Sequence, residues 1–226
     1  MVLEFAEKNR DERSQALIYN NLGNIYNFQG DLARAINAYE KSLALNMKIG
    51  YDQGTAQENC NLADVYRKQG RYELAIETCH KSLIIYERLG NETDSALIYG
   101  TLANIYNEQS DFDEAIQMYE KALAIMQRIG NEPGMGTVYS TQAVLYQKKG
   151  NPARALEFYR KALDIREHIG DRHSAALNYS NMGLLYRDEI GDPIQARAHF
   201  EKAKALYEMV GDSEHAQQVS RALRSL

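Results

Sequence analysis

The chain has 226 residues, 44% of them hydrophobic and 25% charged, with a formal net charge of −5. That supplies enough apolar material for a folded core, while the acidic balance speaks against nucleic acid, whose phosphates call for clustered Lys and Arg. No apolar run approaches the ~18 residues that span a bilayer, and the start Met-Val-Leu-Glu-Phe-Ala-Glu-Lys has neither the basic opening nor the apolar stretch of a secretion signal; a membrane partner is not expected and a cytoplasmic location is.

Residues 3–10 align one period before Leu43–Gly50 and read as the tail of a helix that belongs to a preceding unit, or as a short cap over residues 1–12. A chain cut from a longer protein is the expectation there. Repeat one spans residues 14–50. Its first helix runs from about Ser14 to Gln29, with Ile18, Leu22, Ile25 and Tyr26 at helical spacing. Gly30 stops it and Asp31 caps a second helix from about Leu32 to Ile49, ended by Gly50. The skeleton Tyr19-x2-Leu22-Gly23-x2-Tyr26, then Gly30-Asp31, then Ala35-x3-Tyr39 returns at a step of 40 residues. Tyr26 recurs as Tyr66, Tyr106, Tyr146 and Tyr186, and Gly23 as Ala63, Ala103, Ala143 and Gly183. The later repeats cover 54–90, 94–130, 134–170 and 173–211. Asn151-Pro152 and Asp192-Pro193 are helix starts, a cap followed by proline at the first helical position. One extra residue within Asp188–Gly191 predicts a looser turn in repeat five. Residues 213–226, with Val219, Leu223 and Leu226 on one face, predict a capping helix. The small residues at 23 and its equivalents let paired helices approach, and the tyrosines at 26 and its equivalents are expected to fill the space around them.

Self-similarity at such a period marks a stacked array. The pattern resembles the tetratricopeptide repeat family over about nine tenths of the chain, with repeats longer than the usual 34 residues, similar to Pins-type adaptors, kinesin light chains and bacterial peptide-sensing regulators. The resemblance implies an all-α, right-handed α-solenoid of helix-turn-helix repeats in one domain. It also implies a partner protein or extended peptide held on the concave wall of the first helices. By motif position that wall carries Asn20, Asn24, Asn27, Asn61, Asp64, Arg67, Asn104, Asn107, Thr141 and Gln147. Carboxamides are middling in helices, and each offers donors and an acceptor to a peptide backbone. The other reading is that these side chains bridge neighbouring helices or face water. Val144 and Leu184 replace the carboxamides further along. They predict an apolar contact, for the same peptide, for the C-terminal helix, or for a second copy of the chain. Members that clamp a chaperone tail use Lys and Arg on successive first helices. Here Leu97 and Thr101 stand in that row, so the clamp is incomplete.

Cys60 and Cys79 do not have metal-site spacing and read as reduced thiols. The five histidines do not pair into a triad or metal set, and no Gly-rich phosphate loop is present. An enzyme is not expected, nor a cofactor. The readings that remain are a peptide-binding scaffold, a self-assembly module, and the sensing part of a larger signalling protein.

Overall fold

The computed structural model describes residues 11–226, all-α, with eleven helices and no strand among them. The expected lead-in over residues 1–10 lies outside that range. The chain divides after Met118 into two compact units. In the first, α1 (Glu12–Phe28) pairs with α2 (Leu32–Lys48), α3 (Asp52–Lys68) with α4 (Tyr72–Arg88), and α5 (Glu92–Glu108) packs on α4. Helix α6 (Phe112–Arg128) runs through the division. In the second unit α7 (Glu132–Lys148) pairs with α8 (Pro152–His168), and α9 (Arg172–Leu185) pairs with α10 (Pro193–Met209). Helix α11 (Ser213–Arg224) follows and packs on α10.

Each turn is fixed by local chemistry. At the α1–α2 link the Asp31 amide donates to the Tyr26 carbonyl at 2.9 Å, and the Asp31 carboxylate accepts from the Arg34 amide at 3.0 Å. Orphan groups at both helix ends are thereby satisfied. The intervening residue is left-handed, a glycine in every first-to-second link except repeat three, where Ser110 takes φ 67°. The extra residue of repeat five does not loosen its link. Tyr186–Ile190 forms a π turn, Gly191 keeps φ 75°, and the Asp192 amide still reaches the Tyr186 carbonyl at 2.9 Å. A wider helical turn absorbs one residue without orphaning backbone groups.

The aromatics that fill the cores differ from those expected. Tyr26, Tyr66, Tyr106, Tyr146 and Tyr186 are only half-buried. The sealed rings come from the second helices: Tyr39, Tyr159 and Phe200, with Tyr86 and Tyr207 at a position about two turns further on. A Cβ on Gly23 would sit 2.5 Å from the Tyr39 ring, and one on Gly183 2.6 Å from Phe200. The small first-helix residue is thus the seat of a second-helix ring. Helix α11 closes the second unit as expected: Ala216 and Val219 are buried with Phe200, Ala203 and Tyr207, and Leu223 and Leu226 pack alongside.

Candidate functional site

In the first unit α1, α3 and α5 present the carboxamide rows, and a polar seam runs across them. Asn27 Nδ2 donates to Asp64 Oδ2 at 3.2 Å, and Lys68 Nζ reaches Asn27 Oδ1 at 2.9 Å. Arg67 donates to Asp64 Oδ1 at 2.9 Å and to Glu108 Oε1 at 2.6 Å. Burial raises the cost of the Asp64 charge, but hydrogen bonds from Lys68, Arg67 and Asn27 outweigh it and hold the carboxyl below its ordinary value. Burial likewise opposes the Arg67 charge, and Asp64 and Glu108 together reverse the effect.

The rest of the band in repeats one and two is engaged as well. Asn20 Nδ2 donates to Glu58 Oε1 at 2.7 Å. Asn24 donates to Asn20 Oδ1 at 3.1 Å and accepts from the Tyr39 hydroxyl at 2.8 Å. Asn61 donates to Glu58 Oε2 and accepts from Gln57, both at 3.2 Å. Bridging between first helices therefore holds for Asn20 and Asn27. Each such carboxamide still keeps donor or acceptor capacity toward the open face.

Two hollows open in this unit, one at the seam and one at the N-terminal halves of α1 and α3. One, about 340 Å³, is lined by Cys60, Asp64, Arg67, Thr101, Asn104 and Asn107 with Glu108. The other, about 450 Å³, lies among α1, α2 and α3. Its wall includes Leu17, Asn20, Ser42, Asn46, Tyr51 and Glu58. Glu58 is 2% exposed. Burial pushes its carboxyl above the ordinary range, against hydrogen bonds from Ser42, Asn20 and Asn61. Glu58, Ser42, Asn46 and Tyr51 were not among the sequence candidates. The signal that finds Glu58, Asn46 and Tyr51 is departure from the period, Glu58 standing where Ile18, Ile98, Val138 and Asn178 stand in other repeats, whereas Ser42 recurs as Ser82.

In the second unit, Thr141 Oγ1 donates to the Thr137 carbonyl at 3.0 Å and Gln147 Nε2 to Glu189 Oε1 at 2.6 Å. Val144 and Leu184 are half-buried. Val144 packs against the cluster of Ala143, Tyr159 and Met182, and Leu184 against that of Phe200 and Val219. Leu184 thus meets the core to which α11 contributes, one of the three occupants expected for it. The thiols are free, and burial drives Cys60 to about 11 and Cys79 to about 12, far from a reactive thiolate. Among the described residues no His, Cys, Asp and Glu group has the makings of a metal site. Among them, too, no helix is long and apolar enough to cross a membrane.

Family models described as tetratricopeptide repeat match residues 16–46, 52–128 and 134–209. No curated protein sequence matches the chain. Among solved structures, BtubC (BKLC) from P. vanneervenii superposes with a TM-score of 0.79 at 24% identity, over 93% of this chain and 88% of that one. A kinesin light chain-like protein of Podosopora anserina with nearly identical TPR-like repeats gives 0.70 at 18% identity, over 85% and 94%. The Rap conjugation gene regulator of plasmid pLS20, solved in complex with the Phr* peptide, gives 0.66 at 15% identity, over 95% of this chain and 59% of that one. These likenesses are of fold.

Proposed function

Since this chain belongs to the tetratricopeptide repeat family, we propose that it is a non-catalytic scaffold that binds a partner protein through an extended segment laid across α1, α3 and α5. The observation that carries the reading is the seam Asn27–Asp64–Arg67–Glu108, whose Asp64, Arg67 and Glu108 line one hollow, with a second hollow at the N-terminal halves of α1 and α3. Interlocked polar side chains hold the wall rigid, so a ligand meets a preformed surface and little ordering entropy is lost on binding. Their remaining donors and acceptors suit the peptide groups of an extended chain, and the hollows suit its side chains. The structure of the Rap regulator with a peptide supports the same use of the fold. Thr141 and Gln147 hold the equivalent positions on α7 and are proposed to contact a segment of the same kind.

The test is enrichment of peptides from a random extended library on the purified chain, with Asn24→Ala/Asn104→Ala alongside. Enrichment by the parent, reduced about tenfold in the double variant at unchanged far-UV circular dichroism, supports the assignment. No enrichment, with light scattering reporting a dimer or larger, would replace it by self-assembly.

A further inference from the structure

The hollow among α1, α2 and α3 is built from a run of exceptions to the repeat, and they converge on one place. The position of Asn46 is filled in the other repeats by Tyr86, Met126, Arg166 and Tyr207, all buried. Asn46 is shorter, and its carboxamide makes no hydrogen bond to a described residue although it is 4% exposed. Tyr51 stands where Asn91, Asn131, Asp171 and Asp212 cap their helices; it gives α3 no side-chain cap. Gly54 lets it fold down, since a Cβ there would come within 2.5 Å of the Tyr51 ring. Glu58 brings a carboxylate to a position that repeats one, three and four keep apolar. Among the described residues no cation pairs with it. Its oxygens are held by Asn20 and Ser42 on one side and Asn61 on the other, at 2.7, 2.8 and 3.2 Å. Arg13 stays at the rim, 5.1 Å over the Tyr51 ring.

The second unit shows what this space accepts. Arg166, the equivalent of Asn46, is 8% exposed and fills the corresponding gap between α7, α8 and α9 with a guanidinium. Nη1 donates to Asp171 Oδ2 and Nη2 to Thr137 Oγ1, each at 2.7 Å. Its stem lies so close to Gly136 that a Cβ there would be 3.0 Å from Nε. Thr137 and Asp171 are the equivalents of Leu17 and Tyr51. In the first unit Asn46 puts no arginine in that place, Arg13 reaches only the rim, and the wall of a cavity of about 450 Å³ holds a carboxylate that no cation among the described residues pairs.

We propose that this hollow is a subsite for an arginine side chain of the bound segment, its guanidinium directed to Glu58 and its stem against Leu17 and Tyr51. The assignment rests on the scaffold reading above and names the residue that the segment must carry. A guanidinium suits the site because its fork of donors matches a carboxylate, and its plane stacks on an aromatic face. The loss of a helix cap at Tyr51 is a local rule broken at one repeat alone among those with a cap at this place, as binding sites do.

The experiment titrates the 15N-labelled chain with Nα-acetyl-arginine methylamide, and with the citrulline and lysine analogues, reading amide shifts at Leu17, Gln53, Gly54 and Gln57. The library selection is repeated and read for arginine content. Arginine is expected to shift these amides at concentrations about tenfold below citrulline. Glu58→Gln is expected to remove that difference, and Asn46→Arg to abolish binding by copying Arg166. The second variant keeps Glu58 and guards against a folding defect in the first. Equal response to citrulline, or a stronger response to lysine, would overturn the assignment. So would an enriched library without arginine, and that result would leave the scaffold reading standing. Arginine-specific shifts with no enriched peptide would uphold the subsite and remove the extended segment.

Discussion

The gap between repeats one and two and the gap between repeats four and five share one backbone plan and differ in a handful of side chains. In the second, Arg166 reaches across to Asp171 and Thr137 and closes the space. In the first, Asn46 stops short and Glu58 is left without a cation among the described residues. The difference teaches that a repeat array can switch a joint from structural to receptive without altering a helix, by removing the internal occupant and keeping a counter-charge. Packing at the closed joint should therefore be costly to disturb, and packing at the open one cheap.

The largest effect expected is at the closed joint. Arg166→Ala should cost about 3 kcal/mol in denaturant unfolding, through the emptied space and the stranded Asp171 and Thr137. Asn46→Ala should cost under about 1 kcal/mol, because its carboxamide bonds to no described side chain. Equal costs would show that Asn46 supports its joint as Arg166 does, and the contrast would collapse. A second unpaired polar group sharpens the point. Gln142 is fully buried where Leu22, Leu62, Leu102 and Met182 stand in other repeats, and neither its oxygen nor its nitrogen finds a partner. It lines neither of the two hollows described. Gln142→Leu should therefore stabilise by about 2 kcal/mol and leave peptide enrichment unchanged. A loss of enrichment would mean that the amide serves a ligand.

Most of the fold was legible because each helix end carries its own chemistry. Gly30-Asp31, Asn151-Pro152 and Asp192-Pro193 punctuate at fixed steps, and the links follow from them. The extra residue at Asp188–Gly191 was visible, but its fate was not. Whether it loosens a loop or widens a helical turn depends on the competition between a capped link and a continuous hydrogen-bond ladder. The burial of Tyr39 over Tyr26 was equally hidden, since both sit at regular helical positions and only the helix pairing decides which ring lands on Gly23. Of the candidate site, the carboxamide rows were legible, and their partners were not: Asn20–Glu58 and Asn27–Asp64 join residues 38 and 37 apart, set by stacking. Glu58 and Asn46 escaped notice because a periodic reading attends to what repeats, and these matter for not repeating.

A smaller effect separates function from stability at the open joint. Tyr51→Asp would restore the cap that Asp171 and Asp212 provide to their helices by accepting from Ser174 and His215 amides at 3.1 Å. The variant should gain about 1 kcal/mol and lose affinity for the arginine probe with its aromatic wall. A variant that gains stability and binds as well as the parent would remove Tyr51 from the subsite.

The subtlest effect is on pH. Burial holds the Glu58 carboxyl above its ordinary value of 4.5, so the folded chain grips this proton more tightly than the unfolded chain does. The group's contribution to stability is therefore fully present below the unfolded value and is lost as pH rises through the raised folded value. Relative to Glu58→Gln, which does not titrate, the parent should lose stability across that window and stay at a constant offset above it. Cation binding runs the other way, since a guanidinium prefers the ionised carboxylate; affinity for the arginine probe should climb as pH rises through the same window. The other ionisable groups in the wall, Arg13 and Tyr51, sit together at the rim and leave Glu58 as the acid in this hollow. Thermal midpoints of the two proteins and probe titrations over the same pH series decide the matter. A parent that becomes more stable than the variant with rising pH would mean that Glu58 already has a cation, and a hollow whose carboxylate is neutralised from within has no call for a partner's arginine.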